Sequence, residues 1–102
     1  KLGEVEMNAG MMTRNIVIGN RRTTIRLEGA MWVAFDEICQ KLQASPHDIC
    51  TRIDNMRNGV NRAQAIRATV VKYLRLSMNT NISAHDAFQL ALMASDANAD
   101  QE

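Results

Sequence analysis

The clearest pattern in the chain is an alternation of apolar and polar side chains along residues 20–28. In an extended strand, Thr23, Ile25 and Leu27 fall on one face. The other face carries cationic and hydrogen-bonding side chains, namely Arg22, Thr24 and Arg26. No later segment alternates as cleanly, and a lone strand leaves N–H and C=O groups unpaired along both edges. The pattern therefore favours an antiparallel ribbon formed with the same strand of a second chain.

A hairpin within one chain is the competing interpretation of this region. Residues 14–18 form a short β-prone run, and Gly19-Asn20 suits a two-residue turn before the alternating strand. The first run lacks clean alternation, because three consecutive residues are aliphatic: Ile16, Val17 and Ile18. The sequence therefore favours the intermolecular ribbon, and it predicts a fold that is mainly α with one short β-strand.

Helical periodicity begins at Gly29, where apolar side chains start to recur at intervals of three and four residues. The apolar stripe of this first helix comprises Met31, Trp32, Phe35, Ile38, Cys39 and Leu42. Trp32 is the largest of these side chains, and we expect it to fill the core beneath the ribbon rather than to stack on a base.

Capping residues indicate three further helices, which begin after Ser45, Asn61 and Ser83. Their apolar positions are Ile49, Ile53 and Met56 in the second helix, Ala63, Ile66, Val70 and Tyr73 or Leu74 in the third, and Ala87, Phe88, Leu90, Leu92 and Met93 or Ala94 in the fourth. The predicted organisation is a flexible N-terminal arm over 1–13, a main domain over 14–76, a C-terminal helical extension over 77–95 and a disordered acidic tail over 96–102.

The segment Arg-Thr-Thr-Ile-Arg-Leu-Glu at 22–28 leads into a helix that bears Trp32, and a later helix begins near Asn61. Over residues 14–76 these features resemble the ribbon-helix-helix DNA-binding family. The resemblance implies a dimer with an intermolecular antiparallel ribbon, to which this chain adds a short helix between the two main helices and a C-terminal helix. In that family the strand residues that face away from the core read base edges. The matching positions here are Arg22, Thr24 and Arg26.

Phosphate contacts are expected from cationic residues near the strand and from a helix start. Residues 14–26 contain four arginines and no acid, and Arg21 is the one beside the predicted reading residues. Free N–H groups at the start of the third helix, near Asn61 and Arg62, form the better candidate anion site. The rival helix start at Ser45 has an acid in its first turn, which counts against it.

Composition narrows the class of protein further. The 102 residues, 46% of them hydrophobic, suit one domain whose modest core would gain from oligomerisation. The net charge is only +1, but Asp96, Asp100 and Glu102 lie in the last seven residues, so the remainder carries +4. No window approaches the ~18 apolar residues of a membrane span, and no secretory signal is recognisable at the start. We therefore expect a cytoplasmic protein without a membrane contact.

Catalytic and metal chemistry find little support in the sequence. Cys39, His47, Cys50 and His85 could in principle supply four zinc ligands, but their spacing matches none of the usual close pairs. Buried free thiols are the expected state of both cysteines. No nucleophile, histidine and acid recur at a suitable spacing, and no glycine-rich phosphate loop is present. The sequence therefore predicts no enzyme, no metal and no cofactor.

The leading hypothesis is a homodimeric, sequence-specific DNA-binding protein. It would read the major groove of double-stranded DNA with its ribbon and act as a transcriptional regulator such as a repressor, with dimers able to assemble side by side on DNA. The alternative is a protein-interaction module, an antitoxin or adaptor, whose C-terminal helix binds a protein partner.

Overall fold

The computed structural model describes residues 10–93, which form a β-hairpin followed by four helices. The strands are β1, Met11–Ile18, and β2, Arg21–Glu28. The helices are α1, Gly29–Leu42; α2, Pro46–Met56; α3, Arg62–Ser77; and α4, Ala84–Met93. The mainly α character and the order of the helices agree with the sequence prediction.

The predicted helix starts carry the expected caps. Side-chain oxygens of Ser45, Asn61 and Ser83 each accept the backbone N–H three residues ahead, at 3.0, 3.2 and 3.1 Å. At the other end of the chain, β1 begins at Met11, so the arm predicted for residues 1–13 overlaps the strand. Residues 1–9 and the predicted tail at 96–102 lie outside the described residues.

The sheet has two strands within the described residues, so the prediction of a single strand is wrong. β1 and β2 pair antiparallel in the same chain over eight residues each, with Ile18 opposite Arg21 next to the turn. Gly19 has a φ of 61° and Asn20 has a negative φ, the combination found in a type II′ turn. The strand that the sequence analysis paired with a second chain is thus paired along one edge within its own chain.

The three consecutive aliphatic residues of β1 alternate between buried and exposed positions in the hairpin. Ile16 and Ile18 are buried, whereas Val17 between them is 40% exposed. Ile25 and Leu27 of β2 are buried beside them, as predicted, and Thr23 is half-buried. Both strands therefore place one apolar face on the helices and leave the other face to solvent.

The two outer edges of the hairpin differ. The Val17 N–H donates to His47 Nδ1 of α2 at 3.0 Å and the Gly19 N–H donates to Thr51 Oγ1 at 3.2 Å. Odd-numbered residues of β1 therefore point their backbone groups away from β2. Even-numbered residues point theirs toward it, as the bond of 2.7 Å from the Gly29 N–H to the Gly10 carbonyl shows. On β2 it is consequently the even-numbered residues whose N–H and C=O groups point to the free edge.

The core lies between the hairpin and the helices. Trp32, Phe35 and Ile66 are each 1% exposed, which confirms their predicted place in the core. The hydrophobic side chains less than 2% exposed are Ile16, Leu27, Trp32, Phe35, Ile49, Cys50, Ile66, Val70, Ala87, Phe88 and Ala91. Two predicted apolar positions are wrong, since Met56 is 50% and Leu90 is 45% exposed, and on α4 Ala91 is buried instead. Of the alternatives Tyr73 and Leu74, Tyr73 is the buried residue. Met93 is 59% exposed, and its alternative Ala94 lies outside the described residues.

Cys39 and Cys50 are free and buried, as predicted. Burial raises the pKa of the Cys39 thiol to about 11 and that of the Cys50 thiol to about 12. Both side chains therefore remain protonated at neutral pH and behave as small apolar residues.

A side-chain cluster fastens the hairpin to α1. Trp32 Nε1 donates to the Met12 carbonyl at 2.9 Å, and the Arg14 guanidinium lies 4.5 Å from the centroid of the Trp32 ring. The same guanidinium makes two hydrogen bonds to Asp36, both 2.8 Å long, which raise the pKa of Arg14. Arg14 thus contributes to packing, although the sequence analysis counted it in the cationic field for phosphate.

The C-terminal helix α4 packs on the rest of the domain. Ala87, Phe88 and Ala91 are at most 1% exposed, and the Arg52 guanidinium of α2 lies 4.9 Å from the Phe88 ring centroid. A hydrogen bond of 3.4 Å from Arg52 to Gln89 joins the same two helices. The aromatic face of α4 is therefore covered by this chain.

Candidate nucleic-acid interface

The solvent face of the hairpin carries the three residues predicted to contact bases. Arg22, Thr24 and Arg26 are exposed on β2, two residues apart, on the face opposite Ile25 and Leu27. Side chains two apart on a strand stand about 7 Å from one another and point the same way. The two guanidinium groups and the hydroxyl between them therefore form one straight row.

The first strand adds its own side chains to this face. The residues opposite Arg26, Thr24 and Arg22 in the register are Thr13, Asn15 and Val17, and all three are exposed. Thr24 Oγ1 donates a hydrogen bond of 2.8 Å to Asn15 Oδ1 across the strands. Asn15 was not among the predicted site residues, because the sequence favoured an intermolecular ribbon over the pairing of these two runs. Counting outward from the Gly19-Asn20 turn would have placed Asn15 opposite Thr24.

A groove runs beside this face, between β2 and the start of α3. Two adjoining depressions that share Thr24, Arg57 and Arg62 make up the groove. Their lining includes every residue that the sequence analysis selected, namely Arg21, Arg22, Thr24, Arg26, Asn61 and Arg62. The fold thus brings residues that are up to 41 positions apart into one surface.

The groove is strongly cationic but contains one carboxylate. Five arginines line it, Arg21, Arg22, Arg26, Arg57 and Arg62, against the single acid Asp54. Asp54 Oδ1 accepts from Arg62 Nε at 2.6 Å and from Arg57 Nε at 2.7 Å. The hydrogen bond from Arg62 is the main reason that the pKa of Asp54 lies below its usual value, and the bond from Arg57 adds to it. Asp54 therefore stays ionised and holds both arginines at neutral pH.

Arg57 is a groove residue that the sequence analysis did not identify. Its Nη1 donates to the Val60 carbonyl at 2.8 Å while Nε binds Asp54, so it braces the connection between α2 and α3. In that connection Asn58 and Gly59 both have positive φ, at 54° and 87°, as their residue types allow. Arg57 follows the last apolar position of the predicted second helix, Met56, and no pattern in the sequence indicated that it would face β2.

The start of α3 points toward the same groove. Asn61 accepts the N–H of Gln64 with its side chain and that of Ala65 with its carbonyl, at 3.2 and 2.8 Å. The N–H groups of Arg62 and Ala63 have no acceptor within the helix, as is usual for a first turn. With the arginine beside them, they remain the donors best placed for an anion in the groove.

Comparison with known proteins identifies the family to which the chain belongs. The sequence pattern of the ribbon-helix-helix domain matches residues 11–74, which is more than half of the chain. The chain belongs to the ribbon-helix-helix family. Its match runs from β1 to α3 and includes α2, whereas α4 lies beyond it. No curated protein and no solved structure matches the chain.

Family membership supports the DNA-binding class of protein for this ribbon-helix-helix chain. In the described part of the chain, no three His, Cys, Asp or Glu side chains lie where they could hold a metal ion together. His47 and His85, considered above as ligands, are both exposed and lie at the starts of different helices. Within residues 10–93 no helix is long and apolar enough to cross a membrane.

Proposed function

We propose that this ribbon-helix-helix protein is a sequence-specific DNA-binding transcriptional regulator that reads the major groove with the solvent face of its hairpin. The observation that carries the proposal is the row Arg22, Thr24 and Arg26 standing on the edge of a groove whose other wall is the start of α3. A two-stranded antiparallel ribbon fits the major groove of B-DNA. The row would meet base edges while the groove receives phosphate.

The chemistry of each group suits its place. A guanidinium fork can donate two hydrogen bonds to O6 and N7 of guanine, so Arg22 and Arg26 are the proposed guanine readers. Arg21, Asn61 and Arg62 are the proposed phosphate contacts, since cations and free N–H groups bind phosphate oxygens without regard to sequence. These contacts would fix the register of the hairpin along the duplex.

Selection of bound sequences from a random duplex pool is the direct test. We expect enrichment of a short motif, and binding of unselected duplex at low salt that weakens steeply as salt rises. Replacing Arg22 or Arg26 by alanine should weaken binding to the selected motif by about 1–3 kcal/mol and relax the base preference at one position. Exposed Arg75, near the other end of α3, is the matched control, and Arg75→Ala should leave that preference unchanged.

The same proposal includes a homodimer formed through the free edge of β2. The backbone groups of Arg22, Thr24 and Arg26 point to that edge, so two copies related by a two-fold axis near Thr24 or Ile25 could add their strands antiparallel. The core side chains of one chain are buried without a partner chain. Dimerisation would extend the sheet rather than create it.

Two proline variants distinguish an effect on dimerisation from an effect on folding. Thr24→Pro removes an N–H that points to the free edge, so it should yield a folded monomer by sedimentation. Ile25→Pro removes an N–H that bonds to β1, so it should unfold the hairpin as well. A parent protein that sediments as a monomer at micromolar concentration, both free and on DNA, would exclude the dimer while leaving the reading face intact.

The alternative hypothesis, an adaptor or antitoxin, places a protein partner on the C-terminal helix. Phe88 of that helix is buried against α2 and the core, so its aromatic side chain is not available to a partner.

A further inference from the structure

The middle of the reading face holds a hydrogen bond between the two strands of one hairpin. Asn15 and Thr24 are opposite each other in the register, both are exposed, and Arg22 and Arg26 flank Thr24 along β2. The Thr24 hydroxyl donates to Asn15 Oδ1 at 2.8 Å. Within residues 10–93 this is the one hydrogen bond that either side chain makes.

This bond decides what Thr24 can offer to a ligand. A threonine hydroxyl has one proton and two lone pairs, so a free threonine can either donate to a base or accept from it. Asn15 Oδ1 carries no proton, and the proton between the two oxygens must come from Thr24. With that proton committed to Asn15, Thr24 Oγ1 presents only acceptor lone pairs outward.

We propose that Asn15 is a positioning residue that fixes the polarity of the Thr24 hydroxyl, so that Thr24 selects a base with an amino group in the major groove. The inference rests on the proposed function and adds to it a specificity rule for one base position. In the major groove adenine N6 and cytosine N4 donate, whereas guanine O6 and thymine O4 accept. A hydroxyl oxygen that can only accept favours adenine or cytosine. Opposite guanine or thymine it would face a second acceptor oxygen with no proton between them.

The residue type at position 15 supports this role. Asparagine is depleted in strands, whereas β1 otherwise carries the β-branched residues Thr13, Ile16, Val17 and Ile18, which strands favour. Threonine or valine at this exposed site would suit the hairpin better. An amide whose carbonyl oxygen meets the Thr24 hydroxyl supplies something those residues lack, which is an acceptor without a competing proton.

The test compares base preferences of variants by selection from a random duplex pool. Thr24→Val removes the hydroxyl but keeps a β-branched side chain, so the position whose preference it abolishes is the one that Thr24 reads. There the parent protein should prefer adenine or cytosine over guanine or thymine about fivefold, the ratio that one hydrogen bond provides. Asn15→Ala frees the hydroxyl proton and should reduce that ratio below about twofold.

Asn15→Asp separates positioning from hairpin stability. A carboxylate can only accept, so it should preserve the amino preference even though its charge weakens overall affinity for DNA. Gln40→Glu on the solvent side of α1 is the matched control, because it makes the same amide-to-carboxylate change away from the hairpin. Thermal unfolding should differ little between Asn15→Ala and Asn15→Asp, so a stability effect alone cannot mimic the difference in preference.

Several results would overturn the inference. They are an unchanged ratio in Asn15→Ala, a preference for guanine or thymine at the Thr24 position in the parent, or no position affected by Thr24→Val. All three require a parent protein that selects a motif, and they leave the proposed function standing. A parent that binds no duplex at low salt would remove the proposed function, and the inference with it.

Discussion

Asp54 is the one acid in a groove of five arginines, and replacing it by asparagine should have opposite effects on folding and on DNA binding. Its Oδ1 accepts from Arg62 at 2.6 Å and from Arg57 at 2.7 Å, with the Asp54 side chain 19% exposed and the arginines 33% and 29% exposed. Pairs that are this open to solvent stabilise a fold by about 0.2–1 kcal/mol each. Asparagine keeps an acceptor oxygen but loses the charge.

The expected loss of stability for Asp54→Asn is therefore about 1 kcal/mol, or roughly 4–8 °C in Tm for a domain of this size. The effect should be largest at neutral pH. Because the pKa of Asp54 is lowered in the folded state, its contribution is present above the ordinary carboxyl pKa and is lost as the pH falls through the folded value. Parent and variant should converge in acid.

DNA binding should change in the other direction. Removing the carboxylate raises the charge of the groove by one and releases Arg57 and Arg62 toward phosphate. Each phosphate neutralised steepens the dependence of log K on log salt by about 0.9, so we expect a slope that is steeper by about 1 and a tighter complex at low salt. Fluorescence anisotropy of a labelled unselected duplex over a salt series measures both quantities.

Asp36→Asn is the matched control for this experiment. It makes the same charge change at a carboxylate that binds Arg14, outside the groove. It should lower stability without steepening the salt dependence. An unchanged slope for Asp54→Asn, or weaker binding of the duplex, would show that Asp54 positions Arg62 for DNA rather than competing with phosphate, and would refute the reasoning.

Three further outcomes are expected. Trp32→Ala should destabilise the fold by about 3–5 kcal/mol in chemical denaturation, because it leaves a cavity and removes the donor to the Met12 carbonyl. Full stability in this variant would contradict the place of Trp32 in the core. Gly19→Ala should cost about 1–2 kcal/mol, because the φ of 61° suits glycine, and an unchanged melting curve would contradict the turn type. Glu28→Gln should lower stability at neutral pH only. The hydrogen bond from Arg67 lowers the pKa of Glu28 in the folded protein, so the contribution of the carboxylate to stability disappears as the pH falls through that lowered pKa. A stability difference that persists in acid would show that Glu28 contributes through packing instead.

Much of the fold could be predicted because short-range rules apply to its helices. The stripe around Trp32 and Phe35 is buried as its spacing implied, and the caps at Ser45, Asn61 and Ser83 begin the helices where expected. The strand faces followed from alternation alone. The prediction of how the strand pairs was wrong. Either a hairpin or a dimer ribbon can pair the backbone groups of one alternating strand, and the three consecutive aliphatic residues of β1 gave no sign of alternation in the sequence.

The candidate site could be predicted only in part, for a related reason. Residues on one strand share a face by local geometry, so Arg22, Thr24 and Arg26 could be identified together. Asn15 and Arg57 depend on how separate segments meet, and no local pattern carries that information. Arg14 shows the reverse error, because a residue counted among free cations is held by Asp36 and Trp32 once the chain folds.

The unequal edges of the hairpin set a limit on how copies of this chain can assemble. Near the turn, α2 takes the outward N–H groups of Val17 and Gly19, so the edge of β1 cannot accept another strand along its full length. A sheet with one usable edge can join one other copy, and the pairing consumes that edge in both. Strand addition through the β2 edge would therefore join two chains and stop there, and the exposed strand of the proposed reading face would not become the seed of a fibre.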